Sequence, residues 1–321
     1  MLTGGYSPEW EISLLTGQTV LQHLDNQEFE AYELRILPTS WNVHVQNDSY
    51  PVDRRDLSWR DAEGRMHHFD LAFNAIHGHP GENGVLQGYL ETLGIPLAGS
   101  GLFASALTFN KAQTSTYAAR WGARTAPSVL LRKGDQWKEE DLLAKLQLPL
   151  FVKPNRSGSS FGISKVRTSA DLKGAIAEAF QHDDLIIVEQ GISGTELACG
   201  ISDHNGEAEV LGITEIVPKN DWFDYESKYS GASEEITPAR ISKRAEDEVR
   251  AMSLLLYRQF ELRGIARIDY ILDSDDQAWL IEINSVPGMS AESIVPKQLR
   301  WKGLKLSDIF GQIARSCLQK E

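Results

Sequence analysis

Ala266-Arg267-Ile268-Asp269-Tyr270-Ile271-Leu272-Asp273, then Ser274-Asp275-Asp276-Gln277, then Ala278-Trp279-Leu280-Ile281-Glu282-Ile283-Asn284 is the stretch on which the reading of this chain turns. Two alternating runs around a polar turn predict an antiparallel hairpin. A symmetric turn sets Asp269 opposite Glu282 and Arg267 opposite Asn284. The two-residue side-chain period then puts Arg267, Asp269, Glu282 and Asn284 on one face, and Ile268, Tyr270, Ile281 and Ile283 on the other. Carboxylates directly opposed across a ladder repel and weaken a sheet. A divalent cation between them removes that penalty, and a donor set of two carboxylates and an amide, without His or Cys, suits magnesium or manganese. The competing reading is a solvated face whose charges pair with lysines. Register decides between them, because a slip of one residue separates the two acids.

Working outward, Leu185–Glu189 reads as a strand opening a third segment, and His204-Asn205-Gly206-Glu207 as a hairpin turn between two more. Lys219–Pro238 is polar, aromatic-rich and aperiodic, the profile of a long surface loop, which at that length is functional or disordered. In the helix expected over Lys243–Leu262, Ala245, Val249, Met252, Leu256 and Phe260 form one apolar stripe and are core. Further upstream, Lys153 ends the apolar run Leu150–Pro154 and precedes the small-residue loop Ser157–Gly162, where backbone N–H groups can approach an anion. The loop lacks the Gly-Lys-Ser/Thr of a P-loop, so a plain turn is the alternative. Ser169 is placed to cap a helix over Ala170–Phe180, and Lys111–Trp121 reads as a helix ending at Gly122. In the first hundred residues, the buried-strand run Phe69–Ile76, the turn His77–Gly84 and the helix Val85–Leu93 closed by Gly94 follow α/β grammar.

Composition bounds the partners. A chain of 321 residues with 41% hydrophobic and 24% charged residues is that of an ordinary globular protein of two or three domains. Cys199 and Cys317 form no metal or disulfide pattern, which fits a reducing compartment. A net charge of -13 offers no footprint for nucleic acid or anionic membrane, while leaving room for a polyphosphate at a local cluster of lysines. No apolar run is long enough to span a bilayer, and Met1–Gly5 has neither the basic nor the apolar region of a signal peptide. A cytoplasmic protein with a small-molecule partner is expected.

In order along the chain stand Gly4-Gly5-Tyr6-Ser7-Pro8-Glu9, His77-Gly78 with Gly81-Glu82-Asn83-Gly84, Gly99-Ser100-Gly101 with Asn110-Lys111, Val152-Lys153-Pro154 with Gly158-Ser159-Ser160, Lys228-Tyr229, Arg267-Ile268-Asp269, and Glu282-Ile283-Asn284-Ser285 with Pro287-Gly288-Met289. This series resembles the D-alanine–D-alanine ligases of the ATP-grasp superfamily from Gly4 to about Pro296. Each motif is weak alone; the whole set, in family order, is specific.

The resemblance implies a three-domain ATP-grasp architecture: a Rossmann-like α/β domain over 1–98, then two α+β domains over 99–184 and 185–321 that sandwich ATP. It implies phosphate contacts from Lys111 and Lys153, a γ-phosphate lysine at Lys228, adenine contacts across Glu189, Gln190 and Ile192, and ribose contacts from Glu196. Asp269, Glu282 and Asn284 match the ligands of Mg2+ (or Mn2+). Arg267, with the backbone N–H of Gly288, matches the pair that stabilises a tetrahedral oxyanion. Glu9 matches the acid holding the first substrate's ammonium, bonded in a set with Ser159 and Tyr229. Ser293 matches the hydroxyl on the second substrate's carboxylate, and His77 lies near the substrate amines in relatives or serves its own turn. The implied reaction joins two D-alanines through a D-alanyl phosphate, for peptidoglycan precursors, in a homodimer that binds neither nucleic acid nor membrane. Lys228-Tyr229 favours an amine as second substrate.

Three departures stand out. Only Met1-Leu2-Thr3 precedes the Gly-Gly turn where the family has a complete strand, so a very short first strand, or a start further upstream, is expected. Trp10 replaces an arginine and Asn110 an aspartate, both outside the implied ligand-binding set. The alternatives are a sister ligase making D-alanyl-D-lactate, D-alanyl-D-serine or another dipeptide, and a nucleotide-binding protein without catalysis. Retention of the metal ligands and Arg267 speaks against the last.

Overall fold

The computed structural model describes residues 1–158, 161–218 and 233–319. Leu2–Gly4 is a strand of 3 residues, paired in parallel with Glu33–Ile36, which a meander over Trp41–Val45 and Asp48–Pro51 extends. On the other side a parallel bridge joins Leu2 to Asn74, and Ala72–Phe73 runs parallel to Leu97–Ala98. The run Phe69–Ile76 therefore contributes only a two-residue ladder; its remaining apolar side chains pack in the core rather than extend the sheet. The helices Trp10–His23 and Val85–Leu93 make the crossovers, the second ending at Gly94 with φ 68°, a conformation open to glycine without strain.

A four-stranded sheet is built from Ser128–Arg132, Leu185–Gln190, Leu150–Pro154 and Ser164–Val166, in that spatial order. The strand expected to open a third segment is thus an interior strand of this one, and the boundary expected after residue 184 falls inside the sheet. A helix over Ser169–Ala179 covers it. That helix begins one residue earlier than expected, with Thr168, not Ser169, at the N-cap. Leu150, Val152, Leu172, Ile176, Ile186 and Val188 fill the layer between.

The largest sheet has six strands, in the order Ser233–Ile236, Glu209–Pro218, Thr195–Ser202, Ile265–Leu272, Ala278–Asn284 and Arg124–Thr125. Ser233–Ile236 lies within the stretch expected to be one long loop, so the ladder reclaims its end; residues 219–232 lie outside the described residues. The amphipathic helix Lys243–Gln259, capped by Ser242, packs on this sheet. Ala245, Val249, Leu256 and Phe260 are fully buried there and Met252 partly so, as the stripe predicts.

The decisive hairpin has the expected pairs at its far end, Asp269 opposite Glu282 and Arg267 opposite Asn284. The route to them differs. Near the turn Tyr270 faces Leu280 and Leu272 faces Ala278, and a bulge restores the expected register just before the two acids. The bulged residue, Ile281, lines the cleft with Asp269 and Glu282, so its expected place on the core face is corrected. A bulge beside a site re-aims side chains in this manner.

Candidate active site

A cleft of about 530 Å³ is lined by residues of both the four-stranded and the six-stranded sheet. That volume suits a nucleotide-sized ligand. Lys153, Glu189, Gln190 and Ile192 come from one side; Glu196, Arg267, Asp269 and Glu282 from the other; Lys111 closes one end. Of the sequence-predicted residues, these nine share one cavity.

The lysines are held differently. Lys153 and Glu189 sit on neighbouring strands, where Phe151 faces Glu189 and Lys153 faces Ile187, so the two side chains meet diagonally on one face. They form a buried ion pair. Lys111 opens the helix Lys111–Arg120, whose N-cap is Asn110, its side chain accepting from the Gln113 N–H at 3.1 Å. The amide at Asn110 thus does the capping that an aspartate does elsewhere. Asn155, fully buried, clamps this helix start to the end of the Leu150–Pro154 strand: its Oδ1 accepts from Ala112 N–H at 2.9 Å and its Nδ2 donates to Asn110 Oδ1 at 2.9 Å. Lys111 Nζ then donates to the Ser157 carbonyl at 2.7 Å and lies 3.7 Å from Glu282 Oε2.

On the hairpin, Arg267 donates to both oxygens of Asp269, at 2.8 and 2.7 Å, and Asn284 Nδ2 reaches Asp269 Oδ2 at 3.1 Å. Burial works against the Arg267 charge, yet the adjacent Asp269 carboxylate holds the guanidinium above its ordinary value. Asp269 and Glu282 pair across the ladder, and the Asn284 amide adjoins Asp269, which brings together two carboxylates and one amide. That donor set fits a hard divalent cation bridging to phosphate.

At the Lys111 end, beyond Ser157, Glu9 is the N-cap residue of the helix Trp10–His23, a position that favours negative charge. Its carboxylate lies against Gly158, where an added Cβ would sit 2.6 Å from Glu9 Oε2. The small-residue loop therefore meets the first domain against the end of the Glu9 side chain, which a larger residue at Gly158 would displace. Ser159 and Tyr229, expected to form a bonded set with Glu9, and Lys228, expected at the γ-phosphate, lie outside the described residues. Trp10, by contrast, is exposed, as a position free to drift should be.

His77 Nε2 lies 3.2 Å from Thr16 Oγ1, and the ring also bonds the Val286 backbone. Burial, aided by the Arg267 charge, lowers its pKa to about 4, so the ring is neutral at physiological pH. It joins the first domain to the 285–289 loop. In that loop an added Cβ at Gly288 would lie 3.0 Å from Ser293 Oγ, and Ser293 Oγ is 2.8 Å from Ser290 Oγ. Gly288 and Ser293 are therefore neighbours, though neither lines the large cleft.

Glu82 is half-buried, accepts from the Gly78 N–H at 2.6 Å, and faces Glu9, Lys111 and Glu282. Burial first, then the Glu9 charge, raises its pKa well above the carboxylate range. A group that holds its proton in the folded protein and loses it in the unfolded chain makes stability fall as pH rises above the unfolded value. Glu82→Gln is expected to flatten that decline between pH 5 and 8; thermal melts of the ligand-free protein at several pH values check it, and equal slopes would refute it. Asn155 and Thr16 are the other positioning residues that spacing does not reveal, because their partners are remote in sequence.

Two family models match the chain, one described as D-ala D-ala ligase N-terminus over residues 1–100, the other as D-ala D-ala ligase C-terminus over residues 118–315. Among similar proteins, the D-alanine--D-alanine ligase of Flavobacterium johnsoniae is 42% identical over 97% of this chain and 96% of the relative. That of Phocaeicola vulgatus is 40% identical over 98% of this chain and 97% of the relative. Solved structures that resemble it include D-alanyl-alanine synthetase A from Vibrio cholerae, with a TM-score of 0.88 at 28% identity over 99% of this chain and 97% of that one. The D-Ala:D-Ser ligase VanG from Enterococcus faecalis gives 0.84 at 29% identity, over 97% and 96% of the two chains. The ligase from Bacillus anthracis complexed with ATP gives 0.76 at 26% identity, over 99% and 95%.

Proposed function

The chain belongs to the D-alanine–D-alanine ligase family, and on that footing we propose how its residues divide the reaction. The enzyme joins two D-alanines to D-alanyl-D-alanine with cleavage of ATP to ADP and phosphate. The observation that carries the assignment is the pairing of Asp269 with Glu282 at the mouth of a nucleotide-sized cleft, with Lys111 and Arg267 beside them.

Adenine is assigned to the Glu189–Ile192 edge and ribose to Glu196. Lys111 and Lys153, with Lys228, take the phosphates. Asp269, Glu282 and Asn284 would hold Mg2+ (or Mn2+), which when bound neutralises charge on the β- and γ-phosphates. Glu9, with Ser159 and Tyr229, orients the first D-alanine by its ammonium. Its carboxylate oxygen attacks the γ-phosphorus as the bond to ADP breaks. The amine of the second D-alanine, held by Ser293 at its carboxylate, then attacks the acyl carbon and phosphate leaves. Arg267 and the Gly288 N–H stabilise the oxyanion of that step. Positioned charge supplies most of the catalysis in such transfers.

The neutral ring of His77, bonded to Thr16 and the Val286 backbone, holds the first domain to the 285–289 loop beside these groups. Division into a unit over 1–98, a small unit over 128–190 and a remaining unit that includes Arg124–Thr125 follows the sheets. A cytoplasmic homodimer is assigned from the family; Leu102, Phe103 and Trp121, exposed on adjacent helices, support a second copy as partner. Among the described residues no helix is long and apolar enough to cross a membrane. The test is phosphate release from ATP and magnesium with D-alanine, L-alanine, D-alanine plus D-lactate, or D-alanine plus D-serine. Release requiring D-alanine alone supports the reading; release only with a second partner moves the chain to a sister ligase.

A further inference from the structure

The helix Ile294–Lys302 begins immediately after Ser293 and so sets where that hydroxyl stands. Two consecutive residues on it, about 100° apart around its axis, fix it to the six-stranded sheet. On the inside is Gln298, fully buried, whose amide donates to the Ala198 carbonyl at 2.9 Å and to Thr214 Oγ1 at 3.0 Å. It lies over Gly200 and Gly212, which face each other across the ladder; an added Cβ would come within 2.1 Å of Gln298 Oε1 at the first and 3.0 Å of its Cγ at the second. Two glycines at one rung leave the groove this side chain fills. Thr214 in turn bonds Thr237 Oγ1 at 2.7 Å.

On the outside is Lys297. Its ammonium lies 3.0 Å from Glu235 Oε2 and 3.4 Å from Glu292 Oε2. Glu235 belongs to the edge strand Ser233–Ile236, and it pairs with Ile216, a residue lining the nucleotide cleft. The side chains of Glu235 and Lys297 are 18% and 32% exposed, so solvent weakens the pair without abolishing it.

We propose that Lys297 and Glu235 are positioning residues for the second substrate: their ion pair holds the Ser293 end of the helix in register with the edge strand beside the nucleotide cleft. Gln298 supplies the pivot, docking the middle of the helix, and the ion pair fixes rotation about it. Neither Lys297 nor Glu235 lines the large cleft, so the effect passes through Ser293. The inference rests on the assignment of Ser293 to the second substrate's carboxylate.

The experiment measures steady-state ligation in Lys297→Met, Glu235→Gln and the exchanged double variant Lys297→Glu/Glu235→Lys, with Ser293→Ala in parallel. Each single variant should raise KM for the second D-alanine about threefold, as an ion pair of this exposure allows, with kcat and the KM for ATP within about twofold. The exchanged pair should recover most of the loss. Unchanged KM values in both single variants, or a lowered Tm with no KM change, would overturn the proposal, as would failure of the exchanged pair to rescue. If Ser293→Ala also leaves the second KM unchanged, the assignment of Ser293 falls. If only Ser293→Ala raises it, the assignment stands and the ion-pair inference alone is lost.

Discussion

Glu282→Ala is expected to abolish ligation, with kcat falling ~10³-fold or more, the loss of several kcal/mol of charge stabilisation on the transferring phosphoryl group. The fold should survive. Glu282 sits at a ladder position facing Asp269, and its removal relieves a like-charge juxtaposition that offsets the loss of its long contact with Lys111 when no cation is bound. The variant should therefore melt no lower than the parent in the absence of ligands, yet gain less thermal stability from ATP with magnesium. Asp269→Ala is the poorer test, because it strands Arg267, half-buried and bonded to both Asp269 oxygens. That variant should lose stability as well as activity. Rates near the parent in Glu282→Ala would remove the metal assignment; melting curves in both variants separate the two effects.

Lys153→Met carries the second large effect. It leaves the Glu189 carboxylate buried without its ammonium partner, and breaking one side of a buried pair costs about 3–5 kcal/mol. Glu189→Gln/Lys153→Met, which removes both charges, should recover much of that stability without recovering activity. The double variant thus distinguishes a lysine kept for the phosphates from one kept only to neutralise Glu189. Denaturant unfolding and phosphate release, measured on the same preparations, check the prediction. Activity restored along with stability would mean that Lys153 has no role at ATP.

How far the sequence carried the reading depended on how local each signal was. The apolar stripe Ala245–Phe260, the Gly94 stop and the His204–Glu207 turn are set by neighbours within a few residues, and the structure places them as read. The hairpin acids met as expected because the bulge at Ile281 compensated a turn whose own symmetry leads to a different register. No residue type at Ile281 announces that bulge. Leu185–Gln190 read correctly as a strand, but its sheet is a matter of long-range pairing with Ser128–Arg132 and Leu150–Pro154, which periodicity does not encode. Glu82 and Asn155 were missed for the same reason: each acts through partners brought close only by the fold. Family resemblance supplied the roles of Glu9, Gly288 and Ser293; a lone acid, glycine or serine carries no such signal.

The most direct test of the account supplies the enzyme with ATP, magnesium and D-alanine labelled with oxygen-18 in its carboxyl group, and identifies both products by mass. Attack by the carboxylate on the γ-phosphorus, then displacement by the second amine, predicts D-alanyl-D-alanine and inorganic phosphate carrying one labelled oxygen. Unlabelled phosphate formed alongside the dipeptide would contradict the acyl phosphate, and labelled phosphate with no dipeptide would contradict the ligase.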